Sequence, residues 1–267
     1  MIYIITHKKF KEYFEDKLYY KILHVGMNDD FDSEYICDNT GNNISYKNKN
    51  YCELTGIYWL WKNSKENQED IIGVVHYRRY FTSVAGDFLY TYFNIKPKVL
   101  DYDIIVSKLE KNDIILPTPE KIFRTVRQSY CDVHYEEDLD LTRQVISNVC
   151  PDYLDAFDEV MNSHKYYYAN MMICKKKTFD DYAKWLFSVL FNLEPLIDIN
   201  KYSDNYQKRV FGFLSERLLQ VWVVKNELKI SEQPVFNTEE KRDTIFKKNR
   251  NRIKKLLLKM NLLKMKG

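Results

Sequence analysis

Hydrophobic and polar positions follow two different periods along the chain. Short apolar runs, which are typical of buried strands, occur at 2–5, 20–25, 70–75, 113–116, 166–174 and 229–236. Apolar residues spaced three and four apart, which are typical of helices, occur at 8–18, 51–63, 103–109, 139–148, 153–163, 179–193 and 206–226. This alternation, with helices gathered late, predicts an α/β domain with a mostly parallel sheet and a helical C-terminal part. A ligand is then expected beyond the carboxyl ends of the strands.

Composition predicts that most of the chain is folded. Of its 267 residues 45% are hydrophobic and 15% aromatic, with only 7 Gly and 6 Pro. These values exclude a disordered or linker-rich protein. The glycines form neither G-x-G-x-x-G nor G-x-x-x-x-G-K-[ST], and no G-x-S-x-G occurs. A dinucleotide-binding dehydrogenase, a P-loop NTPase and a common serine hydrolase are therefore disfavoured.

The cysteines and the apolar runs indicate a cytoplasmic protein. Five widely spaced cysteines without a C-x-x-C pair are expected to be reduced thiols. The apolar run at the N-terminus is too short for a signal peptide, and no segment reaches the ~20 apolar residues that cross a bilayer. We expect neither export nor a transmembrane span.

Basic residues are concentrated in the last 21 positions. Residues 247–267 contain nine Lys or Arg and no acid, which leaves a net charge of −6 on residues 1–246. Apolar residues there share one helical face: Ile253, Leu256, Leu257, Met260 and Leu263. This pattern predicts a basic amphipathic helix on an anionic membrane, with docking on the protein core or RNA binding as alternatives. The acidic body argues against nucleic acid. We expect a catalytic domain at 1–236 and a linker with this membrane-contact helix at 237–267.

The sequence His76-Tyr77-Arg78-Arg79 is the sharpest local signal. It follows a predicted buried strand, so its side chains are expected at the ligand-binding edge of the sheet. Adjacent arginines and an imidazole suit a phosphate or diphosphate, although pairing with local carboxylates would also explain them. Thr6-His7 ends the first strand at the same edge.

Further polar residues are candidates for catalysis or binding. Asp132 and His134 lie in a mixed polar segment, where either could act as a general base, although a capped helix start with an acidic first turn also explains the segment. Glu216 and Arg217 form an acid–base pair inside an apolar helix, which is costly to bury unless paired or used. Asn170 lies in an apolar strand, as a buried turn partner or a sugar ligand. Glu53 stands near a helix start, where a carboxylate also favours the helix dipole.

Two Asp-x-Asp tripeptides could suggest a divalent metal site. They are Asp30-Phe31-Asp32, in a polar loop, and Asp101-Tyr102-Asp103, at a predicted helix start. Neither follows a buried strand, so the sequence identifies no metal ligands. A requirement for Mg²⁺ or Mn²⁺ stays open.

A series of motifs over residues 1–227 resembles a bacterial family of capsular-polysaccharide glycosyltransferases, long filed as a domain of unknown function and including galactofuranosyltransferases. The motifs occur in order, and together they are specific where each alone is weak. They are Asn43-Ile44-Ser45, Tyr51-Cys52-Glu53-Leu54-Thr55, Tyr58-Trp59-Leu60-Trp61-Lys62-Asn63, His76-Tyr77-Arg78-Arg79-Tyr80-Phe81, Asp113-Ile114-Ile115-Leu116-Pro117, Asn170-Met171-Met172 and the segment from Arg209 to Leu219.

The resemblance implies a single A-type glycosyltransferase domain, a UDP-sugar donor such as UDP-galactofuranose, and a lipid-linked oligosaccharide acceptor at the inner membrane face. We expect an inverting transfer in capsule or exopolysaccharide synthesis. One carboxylate must then take the acceptor proton, and the candidates are Asp132 and Glu216, with Asp132 preferred because it lies in a mixed polar loop. Donor- or acceptor-binding roles fall to Thr6, His7, Glu53, His76, Tyr77, Arg78, Arg79, His134, Asn170 and Arg217.

The sequence departs from the A-type pattern where a central strand runs into His76-Tyr77-Arg78-Arg79 instead of Asp-x-Asp. We expect Arg78 and Arg79 to neutralise part of the charge on the leaving diphosphate. Competing functions are a pyranosyltransferase that uses another nucleotide sugar, and a non-catalytic, membrane-associated protein that binds a sugar nucleotide.

Overall fold

The computed structural model describes residues 1–14, 18–26 and 34–239 of the chain. The helix predicted within 247–267 and the tripeptide Asp30-Phe31-Asp32 lie outside these residues. Within them, no helix combines the length and the apolar character needed to cross a bilayer.

The described residues form strands and helices in alternation, numbered in chain order. The strands are β1 Ile2–Thr6, β2 Tyr20–His24, β3 Ile36–Cys37, β4 Ile71–His76, β5 Arg79–Phe81, β6 Ile114–Pro117, β7 Glu120–Lys121, β8 Lys165–Tyr166, β9 Met172–Lys175, β10 Ile230–Gln233 and β11 Val235–Asn237. The helices are α1 Asn48–Tyr51, α2 Leu54–Asn63, α3 Val84–Phe93, α4 Tyr102–Leu109, α5 Val126–Cys131, α6 Glu136–Val149, α7 Leu154–Asn162, α8 Lys176–Leu193 and α9 Val210–Lys225. Short 3₁₀ turns occur at Ser45–Lys47, Pro151–Tyr153, Glu194–Leu196, Ile199–Lys201 and Gln207–Arg209.

The main sheet is mixed, and four of the six pairings along its central path are parallel. Its strand order is β10-β6-β9-β4-β1-β2-β3, and β5 and β11 extend it beside β4. Strand β1 runs parallel to both β2 and β4, and β10 runs parallel to β6. Only β9, between β4 and β6, reverses direction along this path. The predicted α/β class with a mostly parallel sheet and a helical C-terminal part is confirmed.

Apolar residues cover both faces of this sheet. The larger cluster joins the sheet to α2 and to the late helices α6 to α9, and includes the buried rings of Tyr51, Tyr182 and Phe211. The smaller cluster lies on the other face and includes Phe14, Tyr80 and Ile105. Burial on both faces explains why β1 and β4 read as continuous apolar runs rather than as alternating patterns.

The helix predicted over 8–18 is wrong for the part that the structure describes, because residues 8–14 are not helical. Aromatic side chains of this segment instead pack against distant elements. The Tyr13 ring lies 5.1 Å from that of Phe236, and its hydroxyl donates to the carbonyl of Pro97 at 2.6 Å. These tertiary contacts outweigh the local helical spacing, which is a weak determinant in so short a segment.

A second difference concerns the run 166–174, which was expected to be one strand. The chain leaves β8 after Tyr166 and enters β9 at Met172, and between them Ala169 and Asn170 adopt φ values of 75° and 45°. A left-handed backbone at two successive residues cannot continue a strand. The break places Asn170 at the edge of the sheet where β1 and β4 end.

Close packing around Gly73 generates a stability prediction. A Cβ atom there would lie 2.7 Å from Ile2 Cδ1 and 2.9 Å from Ile173 Cγ1, both in neighbouring strands. We therefore expect Gly73→Ala to lower the free energy of unfolding by about 1–3 kcal/mol through overpacking. Gly212→Ala is the control, because its Cβ would meet Cys52 Sγ at 3.3 Å while gaining helix propensity. Denaturant unfolding measures both, and equal stabilities would contradict the packing argument.

Candidate active site

A cleft of about 490 Å³ opens at the edge of the sheet where β1 and β4 end. Eight of the residues predicted for binding or catalysis line it: Thr6, His7, Glu53, His76, Tyr77, Arg78, Arg79 and Glu216. Among the other lining residues are Asn48, Lys49, Cys52 and Arg209. The position agrees with the rule that open α/β sheets bind ligands beyond their carboxyl ends.

Parallel pairing of β1 with β4 brings the first two motifs together. Ile5 pairs with His76, and the amide of Tyr77 donates to the carbonyl of Ile5 at 3.1 Å. The His7 ring then meets the Tyr77 ring edge to face, with centroids 5.5 Å apart. The chain turns after Tyr77 into β5, so that Arg78 and Arg79 follow directly at the cleft.

Glu53 reaches the cleft through a sharp corner between α1 and α2. Cys52, at this corner, has φ 53°, a left-handed conformation that costs a residue with a side chain about 1–3 kcal/mol. The Asn48 side chain supports the corner by donating to the carbonyl of Cys52 at 2.8 Å. Glu53 makes no capping hydrogen bond to helix α2. Its carboxylate instead accepts a hydrogen bond from Asn170 Nδ2 at 2.7 Å.

Asn170 connects three separate segments beneath the cleft. Besides Glu53, its amide nitrogen donates to Ser215 Oγ at 2.8 Å, and Ser215 lies on α9. The residue is almost fully buried. This geometry matches the expectation of a buried turn partner, while a role for Asn170 as a sugar ligand stays a prediction.

Both carboxylate oxygens of Glu216 are engaged. Oε1 accepts from the amide of Ala169 at 2.9 Å, and Oε2 accepts from the hydroxyl of Tyr166 and lies 3.2 Å from Arg217 Nη1. Arg217 itself lies against the rings of Tyr166 and Tyr130 and does not line the cleft. Glu216 is therefore a fixed carboxylate beside the cleft, held by its partners.

Burial shifts the pKa values of the acids and the imidazoles in opposite directions. Desolvation raises the pKa of Glu53 and of Glu216, although Asn170 and Arg217 respectively oppose the shift. Burial, together with Arg79 and Arg78, lowers the pKa of His76 to about 3. Burial and Lys8, Arg209 and Arg78 also lower the pKa of His7. The carboxylates are thus suited to accept protons, whereas His76 stays neutral.

Positive charge in the cleft is only partly compensated. Arg78 pairs with Glu239 at 3.1 Å, whereas Arg79, Arg209 and Lys49 form no ion pair within the described part of the chain. Arg209 Nε donates to Cys52 Sγ at 3.1 Å, which orients its guanidinium. The buried Nε2 of His76 has no partner among the described groups. Guanidinium groups without carboxylate partners are suited to bind an anion such as a diphosphate.

Four of the predicted residues do not line the cleft: Asn170 and Arg217, described above, and Asp132 and His134. Asp132 follows helix α5, is exposed, and pairs with Arg124 at 3.1 Å. His134 contacts Gln207 at 2.9 Å and stacks on the Phe213 ring at 4.1 Å. The acidic first turn of α6 follows them, as the alternative interpretation of this segment expected, but no side chain caps the start of that helix.

In residues 1–14, 18–26 and 34–239, no group of three or more His, Cys, Asp or Glu side chains could hold a metal ion. Asp101 stands at the start of α4 and lines a different cavity. We derive no chemical step through a metal.

Arg209 is the main cleft residue that was not predicted. It belongs to the last motif of the series and directly precedes the apolar helix α9. An arginine at a helix start opposes the helix dipole, a mismatch that could have marked it as functional.

Comparison with known proteins identifies the family. Residues 1–227 match the model of a domain of unknown function, DUF4422, and the chain belongs to this family. The fold is similar to that of a solved structure described as the apo form of WbbM, a bifunctional glycosyltransferase, with TM-score 0.74 and 28% identity. The similarity covers 90% of this chain but 45% of that one, so the chain spans less than half the length of WbbM. A search of curated proteins gives no match. The fold is thus a glycosyltransferase fold.

The unpaired guanidinium groups generate a binding prediction. We expect Arg79→Ala to weaken binding of inorganic pyrophosphate and of UDP about tenfold or more, because a hydrogen bond to a charged group contributes about 1.5–3 kcal/mol. Arg78→Ala should have a smaller effect, since Arg78 already pairs with Glu239. Arg143→Ala is the control, because Arg143 pairs with Asp158 away from the cleft. Calorimetric titration measures all three, and equal affinities for the Arg79 and Arg143 variants would contradict this assignment.

Proposed function

We propose that this protein is a glycosyltransferase that takes a sugar from a nucleotide-sugar donor bound in the cleft. One observation carries the proposal. The cleft combines guanidinium groups of Arg78, Arg79 and Arg209 with the carboxylates of Glu53 and Glu216, in a fold similar to that of a glycosyltransferase. Cations suit a leaving diphosphate, and a carboxylate of raised pKa suits removal of a proton from an acceptor hydroxyl.

The resemblance of the sequence motifs makes the proposal more specific. The donor is a UDP-sugar, with UDP-galactofuranose first among the candidates. The acceptor is a lipid-linked oligosaccharide in bacterial capsule or exopolysaccharide synthesis, at the cytoplasmic face of the plasma membrane. The basic residues of 247–267, outside the described residues, are the proposed membrane contact.

The groups in the cleft can serve each step of an inverting transfer. The acceptor oxygen attacks the anomeric carbon as the bond from that carbon to the β-phosphate oxygen breaks. UDP leaves with the electron pair, and its added charge is stabilised by Arg79, Arg209 and Arg78. The acceptor proton passes to a carboxylate at the cleft.

The contacts favour Glu53 as the base over the two residues preferred from sequence. Asp132 is exposed and paired with Arg124, and the carboxylate of Glu216 has a partner on each oxygen. Glu53 lines the cleft, forms no ion pair among the described residues, and is oriented by Asn170. We therefore assign Glu53 the proton transfer and Glu216 the positioning of the Ala169–Asn170 corner.

The base assignment predicts unequal effects of two isosteric substitutions, Glu53→Gln and Asp132→Asn. We expect Glu53→Gln to lower kcat by about a hundredfold or more, which is the usual contribution of general base catalysis. Asp132→Asn, the control, should stay within about twofold, since surface ion pairs contribute little. Because burial raises the pKa of Glu53, the wild-type kcat should fall with decreasing pH at a pKa above the ordinary 4.5. Glu53→Gln should lack this fall, and a strong effect of Asp132→Asn would instead support Asp132.

Donor turnover tests the proposed function itself. Purified full-length protein is incubated with a panel of UDP-sugars, including UDP-galactofuranose, with and without a lipid-linked acceptor and EDTA. We expect acceptor-dependent release of UDP with one donor, which also identifies the sugar and its ring form. Release of UDP from a pyranose donor alone would replace galactofuranose in the proposal. Binding of donors without turnover would support the non-catalytic alternative, and loss of activity in EDTA would establish a need for a metal.

A further inference from the structure

Helix α3 presents an unusually apolar surface to solvent. Its exposed side chains, with Ile95 just beyond its end, form one broad face: Val84, Phe88, Leu89, Tyr92, Phe93 and Ile95. Phe88 and Phe93 are 53% and 62% exposed. Contiguous exposed apolar residues of this kind are rare on proteins that stay in water. We call this set the α3 face.

The α3 face belongs to a well-formed helix. Ser83 caps the helix by accepting from the amide of Gly86 at 3.0 Å, and Asn94 ends it with φ 60°. On the inner side, Tyr90 packs on the ring of Phe236, with centroids 4.7 Å apart. Gly86 allows Pro97 to lie close, since a Cβ atom there would be 2.9 Å from Pro97 Cβ. The exposed side chains are therefore held in place by the fold.

Positive charge borders the α3 face. Lys96 and Lys98 follow it directly, are exposed, and form no ion pair within the described residues. Both line a cavity of about 410 Å³ together with the aromatic residues Tyr13, Phe14 and Tyr20, and Asp101. Asp87 is the single acidic residue between positions 82 and 100. Apolar and aromatic side chains beside lysines match the interface of a bilayer that contains anionic lipid.

The position of Glu239, where the described residues end, also supports a membrane as the partner of the α3 face. Strand β11, which carries Phe236 beneath α3, leads to Glu239, the last described residue. Glu239 pairs with Arg78 at the cleft, and the amide of Thr238 donates to the carbonyl of Arg78 at 2.9 Å. The sequence that follows carries the nine basic residues of 247–267. The described chain thus ends at the cleft, three residues after the ring that packs under helix α3, and the basic segment begins eight residues further along the sequence.

We propose that the α3 face inserts into the interfacial layer of an anionic phospholipid bilayer, with Lys96 and Lys98 at the headgroups. This contact would hold the neighbouring cleft at the membrane surface, within reach of a sugar acceptor carried on a lipid. This membrane contact adds to the proposed function and rests on it, because only a transferase with a lipid-linked acceptor needs the cleft at the membrane. Vesicle binding and UDP release are separate measurements, so the failure of one is distinguishable from the failure of the other.

Co-sedimentation of the full-length protein with vesicles tests the proposal. The vesicles are phosphatidylglycerol with phosphatidylethanolamine, or phosphatidylcholine alone. We expect the wild type to prefer the anionic vesicles and the double variant Phe88→Ser/Phe93→Ser to lower partitioning by at least about tenfold. The matched control Phe123→Ser/Leu196→Ser removes two exposed apolar side chains elsewhere, and should bind within about twofold of the wild type. Melting temperature and UDP release in detergent should be unchanged in both double variants.

A fluorescence measurement locates the contact independently. In Phe93→Trp, we expect brominated phosphatidylglycerol to quench the added tryptophan emission, relative to wild-type protein bound to the same vesicles. Wild-type partitioning by Phe88→Ser/Phe93→Ser, or no added quenching, would overturn the proposal and leave 247–267 as the membrane contact. A wild-type dimer that this double variant converts to a monomer, with vesicle binding unchanged, would also overturn it, by showing that the α3 face binds a second copy.

Discussion

The geometry of the cleft depends on the hydrogen bonds that the side-chain amide of Asn170 donates. Asn170 thereby bonds both Glu53, at the corner between α1 and α2, and Ser215 on α9, while its own backbone adopts a left-handed conformation at the edge of the sheet. The backbone amide of the neighbouring residue, Ala169, donates a hydrogen bond to the carboxylate of Glu216. One short corner between β8 and β9 therefore orients both carboxylates. The left-handed conformations of Cys52, Ala169 and Asn170 together cost several kcal/mol, which the surrounding buried contacts must offset.

Electrostatics gives the cleft a mixed character that suits group transfer. Buried carboxylates would repel a diphosphate, but Arg79, Arg209 and Lys49 lie at the same cleft without ion pairs among the described residues. Burial and nearby arginines, among them Arg79 and Arg209, lower the pKa of His76, and the same two arginines partly offset the effect of desolvation on the pKa of Glu53. A neutral His76 can then bond a ligand without adding charge. In the proposed mechanism, the arginines bind the phosphates of the donor and a carboxylate takes the acceptor proton.

Sequence patterns predicted the fold and much of the cleft for a physical reason. Strands buried on both faces read as apolar runs, and parallel strands β1 and β4 must end at one edge, so Thr6, His7, His76 and Arg79 were expected together. Residues 8–14 are not helical, contrary to the helix predicted at 8–18, because Tyr13 packs on distant Phe236 and donates to the carbonyl of Pro97. Nothing local indicates such contacts. The left-handed backbone at Ala169 and Asn170 was not predicted from the sequence either, since neither residue is glycine. Asp132 was preferred over Glu216 as the base, and Glu53 was only a binding candidate, since sequence shows neither the burial of Glu53 nor the ion pair of Asp132 with Arg124.

A structure of the protein with bound UDP tests the central claim most directly, because the account places one ligand among named side chains. We predict the diphosphate in the cleft beyond β1 and β4, with its oxygens within hydrogen-bonding distance of Arg79 and Arg209, and Glu53 facing the position of the missing sugar. UDP bound at another surface, or bound in the cleft with its phosphates directed away from both arginines, would contradict the account.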